Sequence, residues 1–308
     1  MKVEDSAKVH AIVVTYNPEM DVLVREFALL APQVDKIWLV DNASSQSLAA
    51  WLSGLPFADK LELVQMSANL GLGAAQNAGI QLARPAGASH VLVLDQDSQP
   101  MPDMVDRLLV ASERLQSAGV RVAAVAPVYA DSVTGPASGF VRLGWLDFKK
   151  QTALPGQEVV EADFVISSGS LISVSVLDDI GPMDESLFID HVDTEWCLRA
   201  HSKGYRLFGV PSARMVHSLG DRRTRLWFLR WRNVPYHSPF RYYYILRNSL
   251  LMQRRSYMPI KWRIAELIRC CRVICFYSLF GRQRLACLRM MMRGIVDGFR
   301  GVTGPIKP

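Results

Sequence analysis

Four short apolar runs, each closing on polar residues, constrain this chain more than anything else in its sequence. They are "HAIVVTYN" (10–17), "KIWLVDNASS" (36–45), "LELVQM" (61–66) and "HVLVLDQDS" (90–98). A strand with one face in water alternates apolar and polar residues. A run nearly continuous in Val, Leu and Ile belongs instead in a sheet covered on both faces. Between the runs the spacing turns helical, with Val22, Phe27 and Leu30 inside 19–31 and "GAAQNAGIQLA" at 73–83. Strands alternating with helices predict an α/β fold, a mostly parallel sheet flanked by helices. Ligands of such sheets collect at the carboxyl ends of the strands. Those ends hold Thr15, Tyr16 and Asn17, then Asp41 and Asn42, then Asn69, then Asp95 and Asp97. One composite site is expected there.

Asp95-Gln96-Asp97 carries the most chemistry. An unpaired carboxylate is expensive to take out of water, so two of them at the end of an apolar strand either cap a turn or hold a cation. Where the chain turns, both can address one point. Hard carboxylate oxygens suit Mg²⁺ or Mn²⁺, with substrate phosphates completing the shell. Asp41 and Asn42 also read as ordinary turn formers. "NLGLGAAQNAG" (69–79) reads as a capped helix start or as a phosphate-binding loop. A dinucleotide fold shares this outline, but its third glycine position is occupied here by Gln76.

Further along, residues 184–195 gather Asp184, Glu185, Asp190, Asp193 and Glu195. Asp184, Glu185 and Glu195 fit a solvated helix start, with Glu195 pairing Arg199 at i+4. Asp190 and Asp193, three apart, could share a face, and both stand as candidates for a general base. "VISSGSLIS" (165–173) reads as an alternating strand in which the backbone at Gly169, beside Ser168, approaches an acceptor or simply bulges. His217, at another strand end, reads from its position alone as a structural residue.

Charge divides the chain. Residues 1–220 hold 16 Lys and Arg against 26 Asp and Glu, whereas residues 221–308 hold 19 against 3. That asymmetry places a boundary near residue 220, with a basic helical region beyond it. Arginines interleaved with Trp227, Trp231 and Tyr242–Tyr244 suggest nucleic acid, but no recognition motif accompanies them, so none is expected as a partner. Leu285, Leu288, Met292, Ile295 and Phe299 instead share one helical face, with Arg282, Arg289, Arg293 and Arg300 on another. Such a helix lies on an anionic membrane surface, or packs on the core or on a second copy in a homo-oligomer. No apolar run reaches the roughly 20 residues that span a bilayer. Five cysteines without a CxxC pair suggest neither zinc nor a disulfide framework, and a cytoplasmic setting is expected.

Taken in order, "IVVTYNPE", "LVDNASS", "NLGLGAAQNAG" and "LDQDS" resemble the family 2 glycosyltransferases of GT-A fold. "LFIDHVDTEWCLRAHSKGYRLFGVPSARMVHSLG" resembles their acceptor-side segment, and the nearest branch is the bacterial rhamnosyltransferases of O-antigen and related surface polysaccharides. The likeness covers residues 9–220 and extends weakly through "PFRYYYILRN". It implies a GT-A (Rossmann-like) sheet and an inverting, metal-dependent transfer from a nucleotide sugar, dTDP-L-rhamnose by branch, to a lipid-linked or saccharide acceptor. It implies that Thr15, Tyr16 and Asn17 line the nucleotide pocket and that Asp41, with Asn42, meets the base. Asn69, Gly71 and Asn77 hold the nucleotide sugar, and Asp95 and Asp97 bind metal and diphosphate, with His217 as a further contact. Asp193 falls at the catalytic base, although Val192 stands where the family carries a glutamate. Alternatives are a UDP-hexose donor, a nucleotidyltransferase, whose basic first loop "TYNPEM" lacks, and a non-catalytic sugar-binding module.

Overall fold

The computed structural model describes residues 7–131, 139–217, 222–228, 230–280 and 283–307. The chain runs β1 (Val9–Thr15), α1 (Met20–Leu30), β2 (Lys36–Asp41), α2 (Ala49–Leu52), β3 (Leu61–Gln65), α3 (Leu72–Ala83) and β4 (His90–Asp95). It continues through β5 (Ser98–Pro100), α4 (Met104–Ser117), β6 (Val122–Asp131), β7 (Phe140–Leu143), β8 (Phe148–Gln151), β9 (Val160–Ala162) and β10 (Ser170–Ser173). Then come α5 (Val174–Ile180), α6 (Val192–Ser202), β11 (Arg206–His217), β12 (Arg222–Phe228) and β13 (Arg230–Tyr236). Three helices follow: α7 (Pro239–Gln253), α8 (Ile260–Phe280) and α9 (Arg284–Arg300).

The main sheet has the order β3-β2-β1-β4-β10-β6-β11-β5, with β9 also on β11. β3, β2, β1 and β4 are parallel, as the four apolar runs require, while β10 enters antiparallel between β4 and β6. Side-chain alternation explains why β1, β2 and β4 are apolar nearly throughout, whereas β3, at the sheet edge, has no buried residue and carries Glu62 and Gln65. From β1, Ile12 and Val14 join one core cluster, with Trp38 and Val40 of β2 and Ala75 and Ile80 of α3. Val9, Ala11 and Val13 join the other, with Ile37 and Leu39, Phe27 of α1 and Leu108 of α4. Full burial of each large aliphatic side chain contributes about 1.5–3 kcal/mol, so both faces hold the sheet.

Two expectations change. Residues 165–173 are not one strand: extended pairing begins at Ser170, after Gly169 turns with φ 85°. Residues 222–236, expected within a helical region, pair as antiparallel strands from Arg222 opposite Tyr236 to Phe228 opposite Arg230. Thr224, Trp227, Phe228, Trp231 and Val234 are strand-favouring types, outnumbered in the composition by arginine. Beyond them the helical expectation holds. The boundary near 220, Arg282 and the side chains of Trp227 and Trp231 lie outside the described residues. Leu251, Met252, Met258 and Trp262 share a cluster with Trp196 and Leu198 of α6. Among the described residues no helix is long and apolar enough to cross a membrane.

Candidate active site

Strand register assembles the site. Thr15 lies opposite Asp41, and Val14 opposite Asp95, so the ends of β1, β2 and β4 form one edge. Thr15 is buried, its Oγ1 3.5 Å from both the Val40 carbonyl and Asp41 Oδ1. Asp41, also buried, accepts the Ser44 N–H at 3.2 Å and the Ser44 hydroxyl. Asn17 sits in the left-handed region (φ 49°). Its N–H donates to Ser44 Oγ at 2.7 Å, and its Oδ1 accepts the Ser45 N–H at 2.9 Å. Tyr16 stays half exposed, and its N–H donates to Gln96 Oε1 at 2.8 Å. Gln96, which the motif treats as a spacer, therefore ties the first strand's loop to the carboxylate pair.

A second ladder joins β2 to the glycine loop. Asn42 Nδ2 donates to Asn69 Oδ1 at 3.1 Å, Asn42 Oδ1 accepts the Leu70 N–H at 3.0 Å, and Asn69 Oδ1 accepts the Gly71 N–H at 3.1 Å. Gly71 has φ 94° and ψ 171°, and a Cβ there would strike the Phe188 carbonyl. The Leu72 N–H donates to that same carbonyl at 2.6 Å, the first contact between the glycine loop and the acidic segment. Asn77 departs from its expected place at the sugar. It is buried, its amide donating to the Met183 carbonyl (3.0 Å) and Glu185 Oε1 (2.8 Å) while accepting the Met183 N–H at 2.9 Å. It pins α3 to the acidic segment.

Asp95 and Asp97 do address one point. His217 lies between them, its Nδ1 3.2 Å from Asp97 Oδ1 and its Nε2 3.8 Å from Asp95 Oδ2. Burial pushes the Asp95 carboxyl up to about 6, with His217 opposing that shift and Asp97 and Asp193 reinforcing it. Ser168 Oγ accepts the Asp95 N–H at 3.2 Å and lies 2.5 Å from Ser98 Oγ, which is 3.3 Å from His217 Nδ1. Ser168, expected on the acceptor side, is buried beneath the turn. At Gly169, of its two expected readings, the structure shows a turn against protein: a Cβ there would meet Pro127 Cγ at 2.7 Å and Met215 Sδ at 2.9 Å. Glu26 of α1, unforeseen in the sequence, is fully buried with neither carboxyl oxygen hydrogen-bonded. Burial first, then Asp97 and Asp95, raises its pKa well above the ordinary carboxylate value.

Among the described residues no group of three or more His, Cys, Asp or Glu is placed to hold a metal ion by itself. Two half-exposed carboxylates fit a different kind of site, one completed by substrate phosphate oxygens and water, as Mg²⁺ and Mn²⁺ prefer.

Across the cleft, Asp193 stands in the first turn of α6, accepting the Thr194 N–H at 2.7 Å. Its pKa is raised, burial first, over a pocket it shares with Val165, Met183, Trp196 and Cys197. Asp190 instead accepts Arg241 Nη2 at 2.6 Å and Nε at 3.4 Å, so its carboxylate is spoken for. Phe188, Asp190 and His191 have φ of 65°, 62° and 65°, costing on the order of 1–2 kcal/mol each. The expected solvated helix start is absent. Glu195 is buried, pairing Arg199 at 2.9 Å as its spacing predicted, but also Arg255 at 3.1 Å and the Tyr257 hydroxyl. Asp184 pairs Arg255 as well. These partners lie about 60 or more residues away in sequence, where local spacing gives no signal.

Comparison with known proteins shows the family and the fold. The profile described as glycosyl transferase family 2 matches residues 11–181. The chain is 31% identical over 304 residues, 97% of its own length and 98% of the other's, to a Shigella flexneri protein named dTDP-rhamnosyl transferase RfbF. Among solved structures, Staphylococcus aureus TarS 1–349 in complex with UDP-GlcNAc superposes with a TM-score of 0.60 at 14% identity, covering 96% of this chain and 81% of that one. GalNAc-T7 with UDP, GalNAc and Mn²⁺ gives 0.59 at 13% identity, covering 91% of this chain. The chain spans 58% of the GalNAc-T7 structure. At such identities the structures show a common GT-A fold.

Proposed function

The chain belongs to glycosyl transferase family 2 and is a glycosyltransferase, and from that premise we propose that it moves L-rhamnose from dTDP-L-rhamnose onto a hydroxyl of a lipid-linked or saccharide acceptor in surface polysaccharide assembly. The donor rests on the near full-length likeness to a dTDP-rhamnosyl transferase. The chemistry rests on one observation: Asp193 at the start of α6 lines a pocket with Val93 of β4, the strand that ends on Asp95, and Asp95 feels the charge of both Asp97 and Asp193. Thr15, Asn17 and Asp41 offer polar groups to the nucleoside, while Asn69 and Gly71 shape the loop against which the sugar rests. Asp97 and Asp95, with His217 behind them, would hold a divalent cation, Mg²⁺ or Mn²⁺, which would supply positive charge to the diphosphate. Asp193 takes the proton of the acceptor hydroxyl while that oxygen attacks the anomeric carbon. The new carbon–oxygen bond forms on one face, the nucleoside diphosphate leaves from the other with the bonding pair, and configuration inverts. A raised pKa suits Asp193 to this task, since the base must hold its proton once it has taken it.

Competition binding tests the donor: dTDP-L-rhamnose should outcompete UDP-glucose and UDP-galactose, and preference for a UDP-hexose would overturn the assignment. For the base, Asp193→Asn should retain donor affinity while transfer falls by about 10²–10⁴-fold. Near-normal turnover would remove Asp193 from the role.

The C-terminal helices support peripheral attachment to an anionic membrane surface, where a lipid-linked acceptor is met. α9 packs through Cys287, Met291, Gly294 and Gly298, all buried. Its opposite face exposes Leu285 (84%), Met292 (49%) and Phe299 (65%), with Leu288 and Val296 beside them. Arg284 flanks this stripe on one side and Arg289 and Arg300 on the other. Ile295, expected in the stripe, packs partly into the helical cluster, and Arg293 turns to Asp297.

A further inference from the structure

We propose that Arg247 and Asn248 of α7 are positioning residues for transfer: together they clamp the backbone of residues 186–190 so that α6 starts in the direction that presents Asp193. This rests on the assignment of Asp193 as the base.

Three non-glycine residues within four positions hold positive φ, Phe188 with ψ −65° and His191 in the left-handed helical region, and such a segment persists only where its surroundings over-determine it. Three consecutive residues of α7 supply the constraint. Asn248 Nδ2 donates toward the carbonyls of Leu187 (2.9 Å), Ile189 (2.7 Å) and Asp190 (2.9 Å). Arg247 Nη2 donates to the Leu187 carbonyl at 2.9 Å and to that of Ser186 at 3.4 Å. Ser249 Oγ lies 3.1 Å from His191 Nε2, which also sits 3.2 Å from Glu266 Oε1 of α8. Successive helical residues point about 100° apart, so a loop addressed by all three must wrap around α7.

The two central residues are coupled. Arg247 Nε donates to Asn248 Oδ1 at 2.9 Å, which fixes the amide with its NH₂ toward the loop. Both side chains are fully buried, and the guanidinium stacks 4.7 Å from the Tyr244 ring, which stacks in turn on Phe188 at 5.0 Å. A buried arginine hydrogen-bonded to Asn248 and to the carbonyls of Ser186, Leu187 and Gly304 holds one backbone shape.

This clamp ends at Asp190, next to the residue that caps α6. The His191 carbonyl accepts the Glu195 N–H at 2.8 Å and opens the helix. The turn it opens carries Asp193, so the twist at 188–191 sets the carboxylate's aim. Arg247 and Asn248 themselves reach no residue of the strand-end site.

Steady-state kinetics of the full-length chain, with dTDP-L-rhamnose binding measured separately, tests the clamp. Asn248→Ala is compared with Leu246→Ala, a buried α7 neighbour in the helical cluster away from the loop, and with Asp193→Asn. We expect Asn248→Ala to lower kcat by about 10–100-fold, as small misplacements of a reacting group do, with donor Kd within about threefold of the parent. Leu246→Ala should lower thermal stability without that loss of kcat. Asp193 is faced by His191 and Asp190 of its own segment and by Asp95 from β4. Admitting water to it should therefore shift the acidic limb of kcat to lower pH. Should Asn248→Ala fail to fold, Arg247→Lys, which keeps the charge and loses the fork, should show the same split with a smaller fall. Equal kcat losses in Asn248→Ala and Leu246→Ala, or a donor affinity that drops in step with kcat, would overturn the clamp while leaving the base intact. Near-normal turnover in Asp193→Asn would overturn both.

Discussion

A carboxylate's pKa records what surrounds it, and at Asp95 the record yields a sign. Its ordinary value of 3.8 rises to about 6 in the folded chain. Below that ordinary value both folded and unfolded chains hold the proton, and above about 6 both have released it. Between the two values only the folded chain keeps it, so this group's contribution to stability falls as pH rises through that window. Asp95→Asn should flatten that slope in denaturant titrations, and an unchanged slope would assign it elsewhere. A cation at the same carboxylates competes with the proton, so stabilisation by added Mn²⁺ should grow as pH rises through that same window and vanish in Asp97→Ala. Asp95 and Asp97 were legible in sequence because an apolar strand tolerates two acids at its end only where they cap a turn or meet a cation. Ser168 and Asn77 were not, because residue type does not say which way a side chain is aimed. Both hold the protein's own backbone. Glu26 was hidden for the same reason: a lone acid on an amphipathic helix normally faces water.

Among elements, the seam between α3 and the acidic segment is the tightest junction in the site. Gly71 has a backbone conformation essentially confined to glycine, and the Phe188 backbone fills the space a side chain would need. Gly71→Ala should therefore cost about 3 kcal/mol of stability, combining strain of roughly 1–3 with overpacking of similar size. A loss below about 1 kcal/mol in urea unfolding would mean that the seam yields. The parallel strands from β1 to β4 were readable almost to the residue, since continuous apolar runs admit few arrangements. α9 was readable as amphipathic but not in orientation. It packs through glycine, cysteine and methionine, where Gly294 lets the Tyr243 carbonyl come close, and leaves its leucines outside. Close helix contact selects small residues, which hydrophobicity does not score. The strands at 222–236 were not legible because arginine dominates the composition over the β-branched and aromatic residues between.

For the whole molecule, residues 1–220 are acidic and residues 221–308 basic, and in the proposed membrane attachment that asymmetry would orient the chain against a negative surface. Each lysine or arginine near such a surface contributes about 1 kcal/mol, and screening weakens this as the Debye length falls from about 10 Å at 0.1 M salt to 3 Å at 1 M. The protein should sediment with anionic vesicles at low salt and be released only in part at high salt, because Leu285, Met292 and Phe299 also insert. Replacing Arg284, Arg289 and Arg300 with glutamine should weaken the salt-sensitive part. Binding that is absent in the parent, or unaltered in the triple variant, would give this face to a protein partner. The C-terminal part also reaches back into the chemistry. The Gly304 N–H donates to the Ser186 carbonyl at 2.8 Å, and Arg247 bridges from there to Leu187. During synthesis, at about 5–20 residues per second, the sheet and the loops after β1 and β2 emerge well before residue 304 does, so the segment leading to Asp193 gains its contact with Gly304 only after the sheet has been made.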